Sequence, residues 1–202
     1  MALTRSYKAV RGQGCSVSLS TQIHLTAVDL IIAAHHAGLI EGVKSVQVKN
    51  NQVSNKRISN QSDFAIHYIG MLGEIAVSRA IGAAINAEIT IGGDGGNDMS
   101  VQGQTIQVKT SSHANTPKPR YLIFNNLKDF STDWAVSCSV QSPTVICIHG
   151  FVGREKFRLL AVEHDFGYGT RLCLDEQHLA PIEMFQDAVN WKNEQQANSC
   201  RA

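Results

Sequence analysis

Asp98, Gln107 and Lys109 are the residues of this chain whose types and spacing suit chemistry on a phosphate. They belong to one stretch, D-M-S-V-Q-G-Q-T-I-Q-V-K, from Asp98 to Lys109. Gln102-Gly103 reads as a two-residue hairpin turn, with the glycine supplying positive φ. That register sets Val101 opposite Gln104, Ser100 opposite Thr105, Met99 opposite Ile106 and Asp98 opposite Gln107. Strand alternation then gathers Met99, Val101, Ile106 and Val108 on one face. The other face carries Asp98, Ser100, Thr105, Gln107 and Lys109. Opposed residues have Cβ atoms about 5 Å apart, so a carboxylate, an amide oxygen and an ammonium converge at the open end of the hairpin. Such a group suits a hard cation and the phosphate it activates. The alternative for the same residues is the solvent face of an ordinary antiparallel hairpin. A one-residue slip would split Asp98 from Gln107 and push the apolar set into water, so the pattern itself argues for this register.

The elements that must position these residues come before and after. A helix is expected from about Asp63 to Ile81, with Ile66, Ile69, Gly73, Val77 and Ala80 near helical spacing and Gly82 as its stop. Gly70 and Gly73 inside it each cost up to about 1 kcal/mol relative to alanine; the expected return is a close approach of helix to sheet. Glu74 follows directly, either facing solvent or aimed at a group that needs a carboxylate. Ala87 to Ile91 reads as a strand and Gly92 to Asn97 as a glycine-rich loop. That loop lacks the strand–loop–helix context of a nucleotide cradle. Asp94 within it reads as a turn residue, with metal ligation as its fallback role.

Further upstream, a helix is expected from about Thr21 to Ala37, capped by Ser20 or Thr21 and ended by Gly38. His35 and His36 fall in its last turn, where a cation suits the helix dipole, and they point too far apart to chelate one metal. Val43 to Val48 reads as a short strand or as the continuation of a helical hairpin, and Asn50 to Ser62 as a polar linker. Downstream, Thr110 to Arg120 is a polar loop. Strands are expected at Tyr121–Phe124, Trp134–Val140, Thr144–Val152, Phe157–Val162 and Arg171–Leu174. A last helix runs from Pro181 to about Trp191, followed by a polar tail. The division expected is an extension over residues 1–60 carrying one amphipathic helix, a domain over 61–192 and a tail over 193–202.

The composition excludes several classes. With 43% hydrophobic and 17% charged residues, the 202-residue chain reads as globular. A formal net charge of +1 does not announce a polyanion partner, so any nucleic acid must meet local basic patches such as Lys118, Arg120 and Lys128. No run approaches the roughly 18 apolar residues of a membrane span, so no membrane is expected. Five cysteines without a C-x-x-C pair read as a reducing, cytoplasmic setting. Arg5, Lys8 and Arg11 make the N-terminal segment basic, which reads as an arm touching a polyanion or a plain solvated segment in preference to a transit peptide. Cys147 and His149 share a strand face with Cys138 on the neighbouring strand; lacking a fourth ligand, they read as buried core residues rather than a zinc site.

A helix carrying G-M-L-G-E (Gly70 to Glu74), a strand, a glycine-rich turn, Asp98, a hairpin and Q-V-K (Gln107 to Lys109) stand in an order that resembles the PD-(D/E)XK nuclease superfamily. The segment Asp133 to Phe157 resembles the strands that follow the active site in small microbial and phage members. The resemblance covers roughly residues 63–160. It implies a restriction-endonuclease-like α/β (α+β) core, a central mixed β-sheet flanked by helices, and a Mg²⁺-dependent nuclease acting on DNA, with Mn²⁺ able to substitute. Asp98 would be the metal-binding aspartate and Lys109 the motif lysine. Gln107 would stand where most members carry Glu or Asp, the Val108 carbonyl would be a further ligand, and Glu74 would match the helix carboxylate. Duplex cleavage needs two such sites, which implies a homodimer. Gln107 also leaves open a nuclease-fold protein without catalysis, serving as a nucleic-acid-binding or assembly factor.

Overall fold

The computed structural model describes residues 20–49, 62–86, 88, 96–112, 120–167 and 169–199. The fold is α+β. Its centre is a mixed five-stranded sheet built from β1 (Thr21–His24), β2 (Met99–Val101), β3 (Gln104–Ser111), β5 (Trp134–Ser142) and β6 (Val145–Gly153), in the order β1-β6-β5-β3-β2. Only β3 and β5 run parallel; the other neighbours are antiparallel. The crossover from β3 to β5 passes through β4 (Tyr121–Phe124), which joins β7 (Val162–Asp165) and β8 (Thr170–Asp175) in a second, antiparallel sheet of order β4-β8-β7.

The β2–β3 register is the one the alternation dictates: Met99 pairs with Ile106, Ser100 with Thr105 and Val101 with Gln104. Both turn residues have positive φ, 50° at Gln102 and 81° at Gly103, as a two-residue hairpin with right-handed strand twist requires.

The sheet is covered on both faces. Ile106, Val108, Val136 and Ile148 face α2 (Asp63–Ile81), which brings Leu72, Ile75 and Ala76 to them, while Phe185 and Val189 of α4 (Phe185–Ser199) join the same core. On the opposite face, Ala135 and Val152 meet Leu122, Phe124, Phe130, Leu174 and Phe157, the last from α3 (Arg154–Leu160). Phe124 and Phe130 stack at 4.7 Å, with Phe157 edge-on to both at 5.1 and 5.3 Å. By length and composition α2 could cross a membrane, yet it buries Met71 to Gly73 and Ile75 to Val77.

α2 follows its local signals closely. The Ser62 side chain accepts from the Ala65 N–H, and Gly82 closes the helix in the left-handed region. Gly73 is where helix and sheet touch: a Cβ there would fall 1.8 Å from the Thr110 hydroxyl.

Upstream the structure corrects the expected helix. Thr21–His24 is a strand along β6, burying Ile23, so ladder bonds and burial outweigh helix propensity. α1 (Ala27–Lys49) begins later, at a reciprocal cap: Thr26 N–H and hydroxyl donate to Asp29 Oδ2 at 2.6 Å, and Asp29 N–H returns to the Thr26 hydroxyl at 3.4 Å. Gly38 does not stop it; the helix continues through Gly42 and Val43, taking up the segment that could have been a strand. His35 and His36 therefore lie in mid-helix. Within the span expected as an extension, Ile23 and Ala33 join the main core.

Two further expectations change downstream. The strand expected from Phe157 is helix α3 instead, because R-E-K-F-R-L-L is made of good helix formers and Phe157 completes the second core. The last helix does not stop at Trp191; after a 3-10 turn (Ile182–Met184) it runs as α4 to Ser199. The expected strand at Ala87–Ile91 and the glycine loop up to Gly95 lie, save Glu88, outside the described residues. So do Asp94, Lys118, Cys15, Cys200, the basic N-terminal segment and most of the 50–62 linker.

Candidate active site

Asp98 sits at the end of β2, where its N–H donates to Ile106 C=O at 2.9 Å. Its side chain then crosses to the facing strand, and Oδ2 accepts the Val108 N–H at 2.5 Å. A strand residue points its N–H and C=O to the same side, so the Val108 carbonyl faces the Asp98 side of β3. Asp98 is 9% exposed and Gln107 6%, so the solvent-face alternative fails for both.

Gln107 and Lys109 emerge two residues apart on the face of β3 turned from α2. Oriented by its hydrogen-bond partners, the Gln107 amide donates to the Asp129 carbonyl at 3.2 Å and accepts from Lys109 Nζ at 2.9 Å. The Lys109 ammonium also lies 5.2 Å from the centre of the Phe124 ring. Gly96, at φ +81°, comes so close to Gln107 that a Cβ would fall 2.2 Å from the nearer atom of its side-chain amide. Gly96, two residues before Asp98, thus makes room for a protein side chain.

Glu74 reaches this end of the sheet through its neighbour. Gly73 packs on Thr110, the residue after Lys109, and Glu74 follows it half-buried. Asp98, Val108, Gln107 and Lys109 are thus brought together by one hairpin, whereas Glu74 stands on α2, the helix that packs the other face of β3.

Lys128 is exposed, in a 3-10 turn (Leu127–Asp129) whose last residue takes the Gln107 amide. Arg120 is drawn inward: its Nη1 lies 3.3 and 3.5 Å from the ring nitrogens of buried His149. His149 Nε2 meets the Ser139 hydroxyl at 2.9 Å, and Nδ1 lies 3.5 Å from Glu176 Oε2. This polar group continues the polar side of β3 across the sheet, since Lys109 pairs with Ser137 and Ser111 with Ser139. It joins residues 56 positions apart (120 to 176) and left no local motif to read. A smaller omission is Asn97, whose side-chain oxygen is buried beside Asp98 with no hydrogen-bond partner.

Cys138 faces the α2 core, whereas Cys147 lies 3.9 Å from His149 Nδ1 on the other face. Burial pushes both thiols up, so they stay protonated, as buried core residues do. His67 is half-buried on α2; burial and then the Lys44 charge hold its pKa below the usual histidine value.

The oxygen donors gathered at the hairpin are the Asp98 carboxylate, the Gln107 amide and the Val108 carbonyl. That all-oxygen set fits a hard divalent cation. Among the described residues, no three His, Cys, Asp or Glu side chains cluster as a cation site. Compared with protein-family models and with curated proteins, the chain matches none.

Proposed function

We propose that the chain is a metal-dependent nuclease of PD-(D/E)XK type, hydrolysing phosphodiester bonds in DNA with Mg²⁺, or Mn²⁺ in its place. The observation that carries this is the Asp98 carboxylate, held across the hairpin on the Val108 N–H, with Gln107 and Lys109 joined beside it. Asp98, Gln107, the Val108 carbonyl and Glu74 would hold the ion. Bound there, Mg²⁺ would supply charge neutralisation at the phosphate and a more acidic water.

The chain's own residues do the rest. The Val108 N–H fixes the orientation of the Asp98 carboxylate before substrate arrives. Lys109, set between the Gln107 oxygen and the Phe124 ring, orients the attacking water by hydrogen bonding and stabilises negative charge developing on the phosphate. Lys128, beside the site, supplies a phosphate contact that positions the backbone without reading sequence; Lys118 takes the same role in this reading, while Arg120 is turned inward to His149. The buried free thiols of Cys138, Cys147 and Cys173 suit the cytoplasm.

One observation favours a second reading. Gln107 is neutral and its amide oxygen already accepts from Lys109, which weakens the site as a cation trap. A catalytically inactive nuclease-fold protein, acting as a nucleic-acid-binding or assembly factor, would tolerate that. The deciding experiment is nicking of supercoiled plasmid and of a single-stranded oligonucleotide with Mg²⁺, Mn²⁺ or EDTA, comparing the wild type with Lys109→Ala. Cleavage that needs metal and falls about 100-fold or more in the variant supports the nuclease. Absence of cleavage with DNA binding retained selects the inactive factor, and equal cleavage by both proteins rejects the assignment.

A further inference from the structure

α1 keeps one side in the core, with Ala33 and Ala37 fully buried, and sets the other in water. On that outer side Val28 is 63% exposed, Ile31 67%, Ile32 49%, Leu39 45%, Val43 38% and Val46 57%. The positions 28, 31/32, 39, 43 and 46 follow helical spacing, so they form one stripe along the helix. Together they leave on the order of 500 Å² of apolar surface exposed, at the upper end of what a monomer carries. The described side chains of α1 classed as exposed include no Asp, Glu, Lys or Arg. Asp29 is turned inward to Arg79 at 2.6 Å, and Lys44 reaches Asp63 at 2.9 Å.

Gly38 and Gly42 lie on this exposed side, one turn apart, and a Cβ at either would meet nothing within 4 Å. Each lowers helix stability relative to alanine. At Gly73 the same cost admits Thr110; at Gly38 and Gly42 nothing within the described chain takes the room.

We propose that this face is a homodimer interface, in which a second copy lays its own α1 across the first at Gly38 and Gly42. Gly38 is the midpoint of Ala27–Lys49. A two-fold axis there makes the stripe self-complementary, with the Val28–Ile31 end of one copy meeting the Val43–Val46 end of the other. The glycines let the two backbones approach closely, as small residues do where helices cross. The two stripes would bury about 1,000 Å², the lower bound for a specific interface. A stripe without Lys or Arg at its exposed positions, His35 being its one basic side chain, suits a second copy better than an anionic lipid surface. The proposal stands on α1 alone and is independent of the nuclease reading.

Its test is the mass of the full chain by light scattering after size exclusion, from about 1 to 100 µM. The wild type is compared with Ile31→Asp/Leu39→Asp and with Gly38→Leu/Gly42→Leu. All four positions are exposed, and the glycine pair gains helix propensity, so both variants keep the wild-type far-ultraviolet circular dichroism. The expected result is a wild-type dimer whose dissociation constant rises at least tenfold in both variants. A wild type that is monomeric throughout overturns the proposal, including one that binds phosphatidylcholine vesicles, which would make a membrane the occupant. A dimer that neither variant weakens overturns it too.

Discussion

The Asp98 carboxylate accepts the backbone N–H of Val108 across the hairpin at 2.5 Å, so one bond sets both the acid and the carbonyl that follows it. Asparagine at this position keeps an oxygen for Val108 but loses the charge. Asp98→Asn is expected to change folding stability by no more than about 1 kcal/mol. Its Mg²⁺ affinity should fall at least about tenfold. Titration calorimetry with Mg²⁺ alone, beside a thermal melt, reads the two effects separately. A variant that binds Mg²⁺ as the wild type does removes Asp98 from the site.

Gln107→Glu tests the residue that departs from the pattern of the nuclease superfamily the chain resembles. A carboxylate adds one negative charge next to Lys109 and loses the amide hydrogen donated to the Asp129 carbonyl. The expected outcome is Mg²⁺ binding about tenfold tighter, with a stability loss of about 1 kcal/mol for the broken bond. An unchanged affinity would mean that the Gln107 side chain stands outside the cation site.

The hairpin and α2 were legible in the sequence because their signals are local and agree with burial. Period-two alternation, a Gln-Gly turn, a serine cap and a glycine stop all point the same way there. The start of α1 was not legible, since Thr21 and Thr26 are both cap-like and Ile23 suits strand or helix equally. Gly38 reads as a stop by the same rule that succeeds at Gly82. The difference is that Gly82 takes φ +71° and Gly38 stays out of the left-handed region. In the site, Asp98, Gln107 and Lys109 converge through one hairpin, which alternation reveals. The Asp129 carbonyl, the Phe124 ring and the Arg120–His149–Glu176 group arrive from separate elements by tertiary packing, which no spacing encodes.

Gly73→Ala should destabilise the fold although alanine favours helix. The added methyl would fall 1.8 Å from the Thr110 hydroxyl and 3.0 Å from its Cβ. Relieving that contact by moving α2 costs about 1–3 kcal/mol, against a gain of about 1 kcal/mol in helix propensity. Thr110→Ala removes the hydroxyl and should restore part of the loss. Urea unfolding of the two single variants and the double variant measures the coupling; additive effects would show that α2 does not rest on Thr110.

Asp133 ties α4 to the sheet, and its titration predicts how acid loosens that link. Burial pushes its carboxyl up, but Lys192 Nζ at 2.7 Å and the Thr105 N–H and hydroxyl at 2.9 and 3.0 Å more than offset this, so its pKa lies below the ordinary aspartate value. The unfolded chain therefore takes up the proton first as pH falls. The stabilisation is complete above the unfolded pKa of about 4 and disappears as pH drops through the lower folded value. Asp133→Asn should cost about 1 kcal/mol at neutral pH, a modest figure because the pair is partly solvated. The gap between the two proteins should close on titration toward pH of about 2, where the wild-type carboxyl is protonated as well. Thermal melts across that range check it: a gap that stays constant with pH would assign the effect to shape rather than charge.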